Sequence, residues 1–244
     1  KEYLNKVRPN TIDILEKLKL QSRFKALHIH HLHFPKLEGF KADQLSFAFE
    51  TIYKFQPEQA ETLYFLSLDT DSEVSSSTLS KFNEAIEEGI EIYQQPLIWF
   101  KNITVLRSHL MQSFGFMQTF FSLSYETPMF AGRFFPWRLK YLVGHGLCIK
   151  GSYLVKLHGF PKIIEDVRIG RLSSFLNSMV KVVKNLGNVE IAKNYEVDLK
   201  QSAIWFFGCG LFFSDFIHVL SLRKNRLPTI RDLALITYGF FKAM

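Results

Sequence analysis

Cysteine is nearly absent from this chain: Cys148 and Cys209 are its only two, and they form no CxxC pair. That excludes a disulfide-stapled scaffold and a thiolate metal centre, and it suits a reducing compartment. A GxxxxGK[ST] loop is also lacking, which removes the P-loop route to phosphoryl transfer. No signal-peptide pattern opens the chain and Lys1 stands where an initiator Met would, so a fragment or processed product is expected. Acidic side chains are the scarcer sign, 23 against 30 basic, and the net charge of +7 fits anionic partners such as nucleotide diphosphates or acidic lipid surfaces. Charge alone does not choose between them, and no nucleic-acid partner is expected.

What the chain does have is length for a core and many large apolar side chains. Its 244 residues include 25 Phe, enough for one main domain with a C-terminal appendage. Periodicity predicts helices over 10–18, 44–55 and 77–88 and strands over 26–33, 62–68 and 90–95. Strands alternating with helices imply an α/β sheet whose ligands bind at the carboxyl ends of strands. The run 203–222 is apolar for about the length of a bilayer crossing. Against insertion, Asp215 near its middle is costly in hydrocarbon, while Arg223, Lys224 and Arg226 suit an interfacial helix. Spanning, interfacial and buried readings all stay open. After Pro228, a further helix is predicted over 230–241.

Two carboxylate clusters carry the chemistry. Asp69-Thr70-Asp71 follows the apolar run Leu63-Tyr64-Phe65-Leu66-Ser67-Leu68, which puts two hard oxygen ligands at a strand end where a divalent cation could bridge them to a diphosphate. The local alternative is a turn whose Asp side chains satisfy nearby backbone N–H groups. Glu165-Asp166 follows Gly159-Phe160-Pro161-Lys162-Ile163-Ile164, and its local alternative is charge complementing a helix N-terminus, with Asp166 as cap. His145 lies between Gly144 and Gly146, whose freedom lets the backbone pass close to a ligand; the imidazole could donate to an acceptor or a diphosphate. Arg133, Trp137 and Arg138 could stack on or pair with a sugar or lipid phosphate. His28, His30, His31 and His33 alternate along a strand, so the four cannot converge on one metal, and none is assigned there.

Taken in order, these segments resemble family 2 glycosyltransferases, the GT-A type nucleotide-sugar transferases, and in particular their membrane-associated bacterial branch. Lys41-Ala42-Asp43-Gln44-Leu45-Ser46-Phe47-Ala48 is similar to the family's KAxxLNxA helix start, and Phe65-Leu66-Ser67-Leu68-Asp69-Thr70-Asp71-Ser72 to its FLDADS metal motif. Ile92-Tyr93-Gln94-Gln95-Pro96 is similar to the strand that follows, and Gly159-Phe160-Pro161 with Glu165-Asp166-Val167-Arg168-Ile169-Gly170 to GGFP…EDxxLG. Gln201-Ser202-Ala203-Ile204-Trp205 resembles QxxRW, and the resemblance covers about residues 36 to 205. Three departures stand out. Only residues 1–35 precede it, so the front of the nucleotide pocket is expected to be missing; Ile204 replaces an Arg that could hold a diphosphate or acceptor chain; and Ser46 replaces an Asn.

The resemblance implies a mixed GT-A-like (Rossmann-like) sheet flanked by helices over 1–200 and a membrane-associated apolar helical segment over 201–244. It implies metal-dependent inverting transfer of a hexose from a nucleoside-diphosphate sugar, a UDP-sugar foremost, to a hydroxyl of a glycan or lipid. Asp69 and Asp71 would hold Mg²⁺ or Mn²⁺; Lys41, Asp43, Gln201 and Trp205 would contact the donor. Asp166 would take the acceptor's proton and Glu165 orient or tune it, while His145, Gly159, Phe160 and Arg133 would face the acceptor. The catalytic domain would lie on the cytoplasmic side of a membrane. The short N-terminus and Ile204 also motivate an alternative, a catalytically inactive transferase-like scaffold at the membrane.

Overall fold

A computed structural model describes residues 32, 34–35, 39–55, 57–69, 74–130, 139–223 and 227–243. Phe40–Met244 form one compact unit and Lys1–Gly39 another. The second lies almost wholly outside the described residues, and with it the expected helix 10–18, strand 26–33 and the four clustered histidines.

Within Phe40–Met244 the architecture is mixed α/β. Helix α1 (Lys41–Phe55) begins three residues before the apolar periodicity predicts. The Asp43 carboxylate accepts from the Phe40 N–H at 2.9 Å, closing the first turn at Lys41 and leaving its side chain at the helix's front edge. A 3-10 turn (Pro57–Glu61) leads to β1 (Tyr64–Ser67), whose Phe65 ring meets Phe49 of α1 edge-on at 5.3 Å. Helix α2 (Ser76–Ile86) is capped by Ser75, which accepts from the Thr78 N–H at 3.1 Å. Then come β2 (Ile92–Gln94), β3 (Leu97–Ile98), α3 (His109–Phe121), a π-helical turn (Ser122–Glu126) and α4 (Thr127–Phe130). The chain continues through β4 (Leu147–Lys150), α5 (Gly151–Lys156), α6 (Glu165–Phe175), β5 (Val180–Val182), β6 (Gly187–Asn188), α7 (Tyr195–Gly210), α8 (Phe212–Leu222) and α9 (Ile230–Ala243).

The main sheet has the order β1-β4-β2-β5: β4 runs antiparallel to both its neighbours, and β2 is parallel to β5. A two-stranded parallel ribbon joins β3 and β6. Register places both Ser67 and Gln94 opposite Leu147, so the carboxyl ends of β1 and β2 and the start of β4 share one sheet edge. That edge brings Asp69 beside the loop 143–146. The core runs from Ile92 and Ile149 of the sheet through Leu172 and Phe175 of α6 to Phe212, Val219 and Leu235 of the last two helices.

The run 203–222, read as one segment long enough to cross a bilayer, is corrected by the fold: it is divided between α7 and α8, with a break at Leu211. Gly208 and Gly210 weaken the end of α7, and Asp215 ties α8 inward. Its carboxylate is fully buried, 2.5 Å from Arg168 Nε and 3.2 Å from Arg171 Nη1, and Arg171 also donates to the Gly208 carbonyl at 2.8 Å. Among the described residues no helix is long and apolar enough to cross a membrane. Arg223, expected to reach toward headgroups, instead pairs with Asp232 at 2.7 Å and donates to the Phe175 carbonyl. Lys224 and Arg226 lie outside the described residues.

Candidate functional site

Four chain segments meet at the shared sheet edge. Lys41 at the start of α1 reaches across to β1, its Nζ 2.6 Å from Asp69 Oδ1 and 3.4 Å from the Gly144 carbonyl. The Asp69 N–H donates to His145 Nδ1 at 3.4 Å, which requires the other ring nitrogen to carry the proton in the neutral imidazole. His145 is buried, so it holds the Asp69 turn from beneath rather than standing out toward solvent.

The loop 143–146 is fixed by a residue that sequence reasoning passed over. Gln94 is fully buried at the end of β2; its amide donates to the His145 carbonyl at 3.0 Å and its oxygen accepts from the Val143 N–H at 3.1 Å. Its type hinted at little, since a strand of Ile, Tyr and Gln gives no sign that the Gln clamps a loop 49 residues away. The glycines flanking His145 serve this packing. Gly146 has φ +65, and a Cβ there would lie 2.6 Å from Gln95 Cβ; a Cβ on Gly144 would lie 3.1 Å from Asp166 Oδ2 and 3.3 Å from Lys41 Nζ. The close approach is thus to the Asp166 and Lys41 side chains at Gly144 and to Gln95 at Gly146.

The acid pair opens α6 on strained backbone. Ile163 and Ile164 both have positive φ, 62° and 53°, a conformation that β-branched residues rarely adopt. The strain turns Glu165 and Asp166 into the helix's first turn, facing Gly144. The N-cap is Ile164, which makes no side-chain capping bond, so Asp166 does not cap the helix as read from sequence: it stands inside the first turn, where Oδ1 accepts from the Val167 N–H at 2.8 Å while Oδ2 faces the loop. Burial, and next the neighbouring Glu165 charge, push the Asp166 carboxyl up to about 7, against opposing hydrogen bonds from Val167 and Gly144 and the Lys41 charge. Glu165 is buried and likewise raised, chiefly by desolvation.

Two cavities adjoin here. One, of about 650 Å³, holds Asp166 and Glu165 and is walled largely by apolar groups such as Trp99, Phe121, Ile164 and Ile204. The other, of about 600 Å³, holds Glu190, Asp198 and Gln201. Lys41, Asp69, Trp99, Gln118, Val143 and His145 line both, so the Lys41–Asp69 pair sits at the junction. Trp99, Gln118 and the buried Glu126 had no motif to announce them; only the π-helical turn, a rare feature enriched at functional sites, marks the last.

Other expected site residues fall elsewhere. Asp43 caps α1 and lines neither cavity. Phe160 is buried in the main core, and its carbonyl accepts from Ser46 Oγ at 3.3 Å; Gly159 makes the turn before it at φ +98. Neither lines either of these two cavities. Gln201 does, and Ile204 reaches the cavity on the Asp166 side. Asp71, Arg133, Trp137 and Arg138 lie outside the described residues, as does the side chain of Trp205.

Among the described residues no group of three or more His, Cys, Asp or Glu is placed to hold a metal ion. A Mg²⁺-type site needs less, because one or two carboxylates and substrate phosphates complete its shell. Asp69, with 44% of its side chain exposed at the cavity junction, fits that donor set. Compared with known proteins, the chain matches no family model and no curated protein.

Proposed function

We propose that the chain is an inverting, metal-dependent glycosyltransferase of the GT-A type, related to the family 2 enzymes, that moves a hexose from a nucleoside-diphosphate sugar, a UDP-sugar foremost, to a hydroxyl acceptor. The observation that carries this reading is a carboxyl raised to about 7, Asp166, in one cavity whose shared rim presents the Lys41–Asp69 pair to a second cavity. A base poised near the working pH and a charged anion-binding junction are what such a transfer needs from its protein.

In this reading Asp166 takes the proton of the acceptor hydroxyl as that oxygen attacks the sugar. Lys41 holds the diphosphate, and Glu165, buried beside Asp166, keeps the base's proton affinity high. His145 and Gln94 hold the Asp69 turn and the 143–146 loop in place. Mg²⁺ or Mn²⁺ at Asp69 and Asp71 would neutralise charge on the leaving diphosphate. In this reading the protein lies against a membrane surface with its catalytic side to the cytoplasm; outward apolar side chains on α8 and around the start of α9, Phe213, Ile217, Leu227 and Ile230, support the surface contact.

The test is donor turnover. Wild-type protein with Mn²⁺ should release nucleoside diphosphate from at least one nucleotide sugar, and Asp166→Asn should lose about 10²-fold or more of that rate while donor affinity holds. Absence of donor binding and turnover across UDP-, GDP- and dTDP-sugars would remove the enzyme reading and leave the inactive scaffold.

A further inference from the structure

Helix α3 is built inside out. Its buried positions are Met111, Gly115 and Thr119, one large residue among small ones. Its outward positions carry Phe116, Met117, Phe120 and Phe121, exposed by 60, 56, 71 and 42%. The inward stripe follows from close packing, since a side chain at Gly115 would run into Ile191, and Thr119 accepts from the Trp99 N–H at 2.9 Å. On the outward stripe Phe116 meets the Phe100 ring at 5.2 Å and Phe121 stacks on Tyr125 at 4.9 Å, yet all four side chains keep a large exposed apolar surface, which forgoes favourable burial.

Two of these outward residues do something else as well. Met117 and Phe121, spaced i and i+4, line the cavity that holds Asp166, and Ile204 of α7, 54% exposed, lines it too. Met117, Phe121 and Ile204 therefore carry apolar surface from the cavity that holds Asp166 to the outer surface of α3, with Gln118 and Glu126 as polar members of the same lining. Phe121 and Ile204 cannot hydrogen-bond a sugar hydroxyl, and the Met117 thioether accepts only weakly. The same lining carries the charged groups Lys41, Asp69, Glu165 and Asp166, and the buried Glu126 at the end of the π-helical turn that continues α3.

We infer that the acceptor is an amphiphile, a hydroxyl-headed lipid whose head reaches Asp166 and whose chain leaves over Met117, Phe121 and Ile204 onto α3. This rests on the transferase reading above. In the step, the acceptor O–H gives its proton to Asp166, its oxygen bonds to the anomeric carbon of the nucleotide sugar, and the nucleoside diphosphate leaves with the electron pair of the broken C–O bond.

The probe is n-octyl β-glucoside below its micelle concentration, titrated calorimetrically into the full chain beside plain glucose. The octyl compound should bind saturably and glucose should not. In a Met117→Asn/Phe121→Asn variant, octyl glucoside affinity should fall about ten-fold or more, while UDP and GDP affinity with Mn²⁺ stays at the wild-type level. Equal binding of glucose, or an unchanged octyl affinity in the variant, overturns the inference. So does a wild-type chain that self-associates through this face and becomes monomeric in the variant, since a second copy then covers it. Donor turnover without octyl glucoside binding overturns the lipid acceptor alone; octyl glucoside binding without donor binding leaves the amphiphile cavity standing and removes the transferase.

Discussion

Gly144 and Asp166 are locked together by space: a methyl group on the glycine would lie 3.1 Å from Asp166 Oδ2, tighter than ordinary carbon–oxygen contact, and 3.3 Å from Lys41 Nζ. Gly144→Ala therefore moves the carboxylate and the ammonium by a few tenths of an ångström without opening a cavity. Turnover should drop by roughly 10- to 100-fold, the scale expected for misplaced reacting groups. The melting temperature should shift by no more than about 4 °C. Steady-state kinetics and calorimetry on the same preparation separate the two effects.

Because the Asp166 carboxyl is raised to about 7 from the usual 3.8, its basic form gains population as pH rises through neutrality. Turnover should climb with pH along a limb centred near that value, and Asp166→Asn should erase the limb. Stability runs the other way. The folded chain retains a proton that the unfolded chain releases near 3.8, so the stability this group contributes is full below that pH and is lost as pH rises through about 7. Asparagine copies the neutral form. Asp166→Asn should then melt higher than wild type at about pH 8, by on the order of 10 °C, and match it at about pH 4.

Lys41 is the cation at the cavity junction, 2.6 Å from Asp69. Lys41→Met keeps the length of the side chain and removes its charge, so UDP and GDP should bind about ten-fold more weakly, in line with loss of one charge-assisted contact. Chelation of divalent ions by EDTA should weaken nucleotide binding in wild type and in the variant alike. An unchanged UDP and GDP titration in Lys41→Met would assign the diphosphate to other groups.

Asp215 is enclosed between Arg168 and Arg171 with no exposed side-chain surface. Removing the acid leaves two guanidinium groups buried without their counter-charge, and Asp215→Ala should lower unfolding stability by about 3–5 kcal/mol in a urea titration. A loss below about 1 kcal/mol would mean that water already reaches this pair.

Much of the site's framework can be read from local pattern. The apolar run before Asp69 is β1, Ser75 starts α2 where a Ser-rich turn points, and Glu165-Asp166 open a helix. The mixed α/β class follows from the same alternation. What local pattern misses is set by distant partners. Strands of two to four residues such as β3, β4 and β6 are too short to show a period. Asp215 looks like a flaw in an apolar run until Arg168 and Arg171, 47 and 44 residues upstream, neutralise it. Trp99 and Glu126 gain meaning only once the fold puts them around the cavity.

The ion cluster at Asp215 also bears on what holds Asp166 in place. Arg168 and Arg171 belong to α6, the helix that carries Glu165 and Asp166 in its first turn, and their counter-charge comes from α8. A chain ending before α8 would strand two positive charges inside α6 and free the helix to rotate. The C-terminal half of the chain is thereby a structural requirement of the helix that carries Asp166, and not a detachable appendage to it.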